Sequence, residues 1–261
     1  MNVTVTEDPF LIHRGLLFTV SYEMLGSAAD AEDVVQETWL RWDAIGADAR
    51  ADVRDPRAFL VRMVTRKALD RLRSTARRRE DYVGEWLPEP LLTAPDVADD
   101  VELAEVLGKS AVAVRQIGHR AREHVAARRP RREVSRAERQ EVVERFLAAV
   151  TRGDLQGLLD VLAPDVVLVA DGGGVVQAVV NPVVGAKKVA NLLRPFNRLA
   201  PGAEIQPLLL NGAVGARIVG TDDGYDTAIS FVVDGGRITR IYAVRNPAKL
   251  GRIDVETTIS R

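Results

Sequence analysis

Arg66, Arg73 and Arg77 recur at i, i+7 and i+11 within residues 53–80, a stretch holding ten Arg and Lys against three acids. On a helix this spacing places the three guanidiniums on one face. A helix that is apolar on one side and cationic on the other can rest on a core while offering charge to phosphates. A simple solvated basic face competes evenly with that reading for a lone helix. A second set lies at Arg115, Gln116, His119, Arg120 and Arg122, side chains able to reach phosphates or base edges. A third is acidic: Asp30, Asp33 and Glu37 at i, i+3 and i+7, which taken alone read as solvated carboxylates. Asp171, Tyr225 and Tyr242 could supply a general base and hydroxyl donors if they shared a pocket. No histidine follows His124, and His119 and His124 are too isolated to suggest a metal site.

The elements that must carry these groups follow from pattern. Pro56 suits a first helical turn, and neither Gly nor Pro interrupts the chain before Gly84. Phe59, Leu60, Met63 and Val64 form one apolar patch, and Leu69, Leu72 and Ala76 a second, rotated one. That rotation predicts two helices, or one bent near Thr65. Residues 13–25 read as a helix ended by Gly26. Ser27, with Asp30 three residues on, starts another helix, whose buried stripe is Ala31, Val34, Val35, Thr38, Trp39 and Trp42. Ala104, Gly108 and Val114 have helix-turn-helix spacing, with Ser110 capping the second helix and Val114, Ile117, Ala121 and Val125 facing inward. Between the two basic regions, Pro88, Pro90 and Pro95 forbid a helix. Trp86 in this linker should bury something, so the linker is expected to dock.

Beyond Ala137 the pattern changes. Helices are expected with Val142, Val143, Phe146, Leu147 and Val150 on one face, then at 154–162, and at 186–199 with an interruption at Pro195. Strands are expected at 166–170, 175–180, 205–210, 214–219, 227–234 and 237–245, with Asp234-Gly235-Gly236 as a hairpin turn. Helices followed by a long antiparallel run predict an α+β cone.

Bulk properties narrow the class. No apolar run approaches the length of a membrane span, and the first ten residues lack signal-peptide order. The absence of cysteine removes disulfides, thiol catalysis and Cys-based zinc sites. A soluble cytoplasmic protein without metal or other cofactor is the expectation. The formal net charge of −1 hides an excess of Arg and Lys before about residue 140.

The run DAEDVVQETWLRW followed by DPRAFLVRMVTRKALDRLRS resembles the second region of bacterial extracytoplasmic-function sigma factors. The resemblance implies that Asp30, Asp33, Gln36 and Glu37 meet core RNA polymerase at the clamp helices of the β′ subunit, with the β subunit a further partner. It implies that Arg62, Arg66, Lys67, Arg73 and Arg77 meet the −10 element of promoter DNA. The segment ELAEVLGKSAVAVRQIGHRAREHV resembles the fourth region, which reads the −35 element, so Lys109, Ser110, Arg115, Gln116, His119 and Arg120 are the expected contacts there. It departs from the family in passing directly from the linker into these two helices, without the tens of residues that usually precede them. The C-terminal part resembles SnoaL-like domains. Trp86-Leu87-Pro88-Glu89-Pro90, Asp171-Gly172-Gly173-Gly174 and Asn246-Pro247-Ala248-Lys249-Leu250 look like the linked signatures of the sigma-J-type group, in which a SnoaL-like domain is fused to the sigma factor. Ala248 stands where the group usually has Asp.

The expected architecture is multidomain. An all-α sigma region with a helix-turn-helix is followed by an α+β cone of the nuclear-transport-factor-2-like (SnoaL-like) fold. Region 2 spans 8–82, a Pro-containing linker 83–101, and a partial region 4 102–128. A basic connector spans 129–136, the SnoaL-like domain 137–250, and a tail 251–261. The function implied is promoter-specific initiation regulated in cis by the C-terminal domain, through the three interdomain signatures. The alternative is a small-molecule-binding or catalytic SnoaL-like domain, its ligand unknown, fused to a DNA-binding arm. Catalysis is disfavoured, because a cone supplies a pocket by default but not tuned groups within it.

Overall fold

The computed structural model describes residues 8–80, 82–93, 136–220 and 226–257. The helix-turn-helix segment, with Lys109, Ser110, Arg115, Gln116, His119 and Arg120, lies outside them, as does Tyr225. Residues 8–80 form one unit; residues 82–93, 136–220 and 226–257 form another.

The first unit is helical: α1 (Pro9–Leu25), α2 (Ala28–Asp43), the short α3 (Ala47–Ala51) and α4 (Pro56–Glu80). Its boundaries have local causes. Asp8 caps α1 by accepting from the Phe10 N–H at 2.8 Å. The same carboxylate accepts from Trp42 Nε1 at 3.1 Å and Arg50 Nη1 at 3.2 Å, joining α1 to α2 and α3. Gly26 closes α1 in the left-handed conformation, φ 67°, which a side chain would disfavour. Ser27 caps α2 through the Asp30 N–H, and Asp55 caps α4 through the Ala58 N–H.

The stripe Ala31, Val34, Val35, Thr38 and Trp42 is buried, with Trp39 half-buried against Phe10. Of the two forms expected for α4, the single helix is the one observed, running through Thr65. The second apolar patch is not a second buried face: Leu69 is 43% exposed and Leu72 half-buried. Leu60, Val61, Val64 and Ala68 form a continuous buried row instead, so a single face serves the helix as far as its side chains are described.

The second unit contains α5 (Arg136–Arg152), α6 (Leu155–Val161), β1 (Leu162–Asp171), β2 (Val183–Val184), α7 (Ala186–Leu193) and α8 (Phe196–Leu199). β3 (Glu204–Leu210), β4 (Ala213–Val219), β5 (Asp226–Asp234), β6 (Arg237–Val244) and α9 (Pro247–Leu250) follow. The strands form one sheet in the order β2-β1-β6-β5-β4-β3. All neighbours are antiparallel except β1 and β6, which run parallel, with Leu168 opposite Ile241. The expected antiparallel run is present from β3 to β6, and the parallel pair joins β1 to its end.

Residues 175–180 are not a strand. Gly172 accepts from the N–H groups of Val175 and Val176, turning the chain, and the run that follows is irregular, with Val175 75% exposed. The VVQAVV composition is apolar but lacks the alternation that a half-buried strand requires. Gly235 and Gly236, both at positive φ, make the β5–β6 turn.

One face of the sheet packs on the helices through Phe146, Leu158, Val166, Val189, Phe231 and Ile241. The Phe146 and Phe231 rings meet edge to face at 5.2 Å. The other face carries a smaller core of Val169, Leu210, Ala228 and Val244, closed by Leu87 from residues 82–93 and by Leu250 and Ile253 from the chain's end. Residues 82–93 thus belong to the structure of the second unit.

Candidate functional site

The three basic side chains of α4 with described positions that follow a single row, Arg62, Arg66 and Arg73, are exposed. Arg73 makes a surface pair with Asp70 at 3.1 Å; Arg62 and Arg66 have no ion pair among the described residues. Arg77 lies beyond the last described side chain of the helix. Lys67, grouped with these by resemblance, is engaged differently. Its Nζ donates to Glu37 Oε2 at 2.9 Å, across to α2. One turn on, Arg71 Nε donates to Asp30 Oδ1 at 2.9 Å and Nη2 to Asp33 Oδ2 at 2.6 Å. Those carboxylates hold the Arg71 pKa above its ordinary value, the hydrogen bond that Arg71 donates to Asp30 first. Of the four residues assigned to polymerase docking, Gln36 is exposed, while Asp30, Asp33 and Glu37 are tied to α4. Arg71 was not singled out in the sequence; its place four residues after Lys67, facing a helix with acids at matching spacing, is the signal that could have found it.

The second constellation surrounds Asp171 at the end of β1. Its side chain is fully buried and accepts four hydrogen bonds. Tyr82 OH donates at 2.5 Å and the Gly173 N–H at 3.0 Å to Oδ1. The Leu87 N–H donates at 2.9 Å and Lys249 Nζ at 2.7 Å to Oδ2. Lys249, also buried, donates a further bond to the Leu87 carbonyl at 2.6 Å. Its ammonium lies 4.1 Å from the Trp86 ring centroid and 4.8 Å from that of Tyr82. Asn246, capping α9 through the Ala248 N–H, turns its amide to donate to Tyr82 OH at 2.7 Å. Burial, followed by the hydrogen bond to Asp171, pushes the Tyr82 hydroxyl up to about 12. Glycine is required where the loop closes: Gly173 and Gly174 take positive φ, and a Cβ on either would strike Asn246 or Val83.

The rest of the segment is held as well. Leu92 bridges Leu210 on one side and Glu256 on the other. Thr93 N–H donates to Leu209 O at 3.0 Å, and Leu91 N–H to Asn211 Oδ1 at 2.9 Å. Asn211 Nδ2 donates to the Glu89 carbonyl at 3.3 Å. Pro90 is buried, whereas Pro88 and Pro247 are exposed and make no contribution of comparable geometry. Arg217, its pKa raised first by the hydrogen bond to Asp226, pairs with Asp226 and with Asp254 of the terminal segment.

This geometry corrects the enzymatic role considered for Asp171. A carboxylate with both oxygens occupied, by an ammonium, a hydroxyl and two backbone N–H groups, is a structural anchor without a free lone pair for proton abstraction. Tyr82 belongs to that anchor.

Residues 10–78 match the family described as Sigma-70 region 2. The ECF RNA polymerase sigma factor SigJ of Mycobacterium tuberculosis is 35% identical to this chain over 288 residues, covering 90% of each. The chain is an extracytoplasmic-function RNA polymerase sigma factor. A probable ECF sigma factor of the same organism, SigI, is 27% identical, covering 94% of each chain. The crystal structure of the M. tuberculosis extracytoplasmic-function sigma factor SigJ is similar at a TM-score of 0.67 and 30% identity, covering 93% of this chain and 97% of that one. The sigma factor therefore joins a helical region-2 unit to an α+β unit. No helix among its described residues is long and apolar enough to cross a membrane.

Proposed function

We propose that this sigma factor engages core polymerase through α2, reads promoter DNA through α4, and is restrained in cis by its SnoaL-like unit. On this reading Arg62, Arg66, Arg73 and Arg77 meet the −10 element, with Lys67 recruited beside them. Asp30, Asp33, Gln36 and Glu37 face the β′ clamp helices, with the β subunit a further contact. Lys109, Ser110, Arg115, Gln116, His119 and Arg120 meet the −35 element. Trp86 to Pro90, Asp171 to Gly174, and Asn246, Pro247 and Lys249 carry the coupling between domains.

The observation that carries the regulatory part is the capture of one peptide unit from both sides. The Leu87 N–H is taken by Asp171 and the Leu87 carbonyl by Lys249. A linker held at a backbone group inside a buried ion pair limits where the DNA-reading helix that precedes it can travel. The helical side of the sheet is filled by Phe146, Leu158, Phe231 and Ile241, and no observation favours the catalytic or ligand-binding alternative.

The test is transcription with reconstituted holoenzyme. Arg62→Ala/Arg66→Ala should copurify with core polymerase and yield less promoter-specific transcript. Lys249→Met should copurify equally and alter transcript yield through the linker. Failure of the wild-type chain to bind core would defeat the docking assignment. Unchanged yield with Lys249→Met would defeat regulation through the linker.

A further inference from the structure

Five side chains between α2 and α4 do not carry the charge that the basic helix suggests. Lys67 and Arg71 contribute two positive charges, and Asp30, Asp33 and Glu37 three negative ones. This edge of α4 is net negative, while Arg62 and Arg66 on the same helix have no such counter-ions among the described residues. The groups have the makings of a phosphate contact. Arg71 offers Nε and Nη2 to two separate carboxylates at 2.9 and 2.6 Å, as a guanidinium offers two donors to a phosphate.

We propose that the α2 carboxylates are an internal substitute for DNA phosphate. In the free chain they occupy Arg71 and Lys67 and keep this edge of α4 from nucleic acid. A cationic protein surface that takes the carboxylates returns both side chains to the phosphate-binding set. The inference rests on the reading of α4 as the DNA face.

The energetics allow the exchange. These groups are between about a quarter and about a half exposed: Arg71 30%, Asp30 27%, Asp33 55%, Lys67 34% and Glu37 47%. Exposed pairs contribute little to stability, so separating them does not unfold the unit. Their effect on DNA is larger. Each phosphate neutralised by a cation adds about 0.9 to the slope of log affinity against log salt, and an occupied cation adds none. Docking and DNA affinity are thereby linked without movement of the helices: whatever competes for the carboxylates raises the number of cations facing the duplex.

The experiment measures binding of the full free chain to a mixed-sequence DNA duplex by fluorescence anisotropy over a range of salt. Asp30→Asn/Asp33→Asn should steepen the salt slope by about 0.9, as Arg71 is released. Asp48→Asn/Asp52→Asn removes the same charge from exposed carboxylates without an ion pair among the described residues, and should leave the slope unchanged. Adding Arg71→Gln to Asp30→Asn/Asp33→Asn should cancel the gain. Arg71→Gln alone should leave affinity and slope at wild-type values, since the side chain is already occupied. An equal gain in the control pair, or a loss of binding from Arg71→Gln alone, would overturn the proposal. The second of these arms decides even if the double variant does not fold. If Arg62→Ala/Arg66→Ala binds the duplex as wild type does, the assignment of α4 as the DNA face has failed, a result distinct from either.

Discussion

Asp171 and Lys249, 78 residues apart in sequence, meet at 2.7 Å with the carboxylate closed off from water. A buried pair of this kind is costly to break from one side, because the remaining charge keeps its desolvation and loses its compensation. Lys249→Met should therefore destabilise the second unit by about 3–5 kcal/mol. Asp171→Asn added to it should cost less than the sum of the single changes. Chemical denaturation of the two single variants and the double variant gives the coupling.

Trp86→Ala removes a half-buried indole that lies under the Lys249 ammonium. The lost packing and cation–π attraction together amount to about 2 kcal/mol. Residues 82–93 should then be cut faster by protease, while α5 and the sheet resist as before. Equal cleavage rates would show that Asp171 and Lys249 hold the segment unaided.

Tyr82 gives the site a pH limit. Its hydroxyl is raised from an ordinary value near 10 to about 12, so the folded form holds the proton more tightly than the unfolded one. The stabilisation is fully present below about pH 10 and is lost as pH rises from there through about 12. Tyr82→Phe should remove that alkaline transition, followed by the intrinsic tryptophan emission of Trp86, and should also leave Asn246 Nδ2 without its hydroxyl acceptor. Persistence of the transition in the variant would assign it to another group.

Arg217→Ala should loosen two segments at once. Arg217 pairs with Asp254, and Leu92 shares a bridge with Glu256 two residues further on. Faster amide exchange is expected at residues 253–257 and at 91–93, with β5 and β6 protected as in the wild type.

Much of this was legible where a residue type has one strong physical use. Ser27 and Gly26 mark helix ends, Gly235-Gly236 marks a tight turn, and the Ala31-to-Trp42 stripe marks a buried face. Trp86, the glycines after Asp171 and the Asn246 segment were visible as linked motifs through resemblance. Periodicity could not supply pairings made over long separations. The parallel match of β1 with β6 was hidden for that reason, as was the passage of Leu92 between Leu210 and Glu256. The role of Tyr82 was hidden for the same reason, its hydroxyl sitting 2.5 Å from a carboxylate 89 residues away in sequence. Residues 175–180 misled because apolar content was taken for alternation. In α2 the acids were read for what they could meet outside the chain, and Arg71 was left out of the account.

Tyr82 and Asn246, joined by a hydrogen bond, lie 164 residues apart. On a ribosome the tyrosine is polymerised first, and at 5–20 residues per second its partner follows roughly 8–30 seconds later. During that interval α1 to α4 have every residue they need, whereas the segment after them gains Asp171 only part-way through and Lys249 only after Asn246. The ion pair that takes the Leu87 peptide unit is thus completed well after the first unit. Each new molecule passes through a period in which α4 is complete while the segment after it has no anchor, and a synthesis aborted before Lys249 leaves it so.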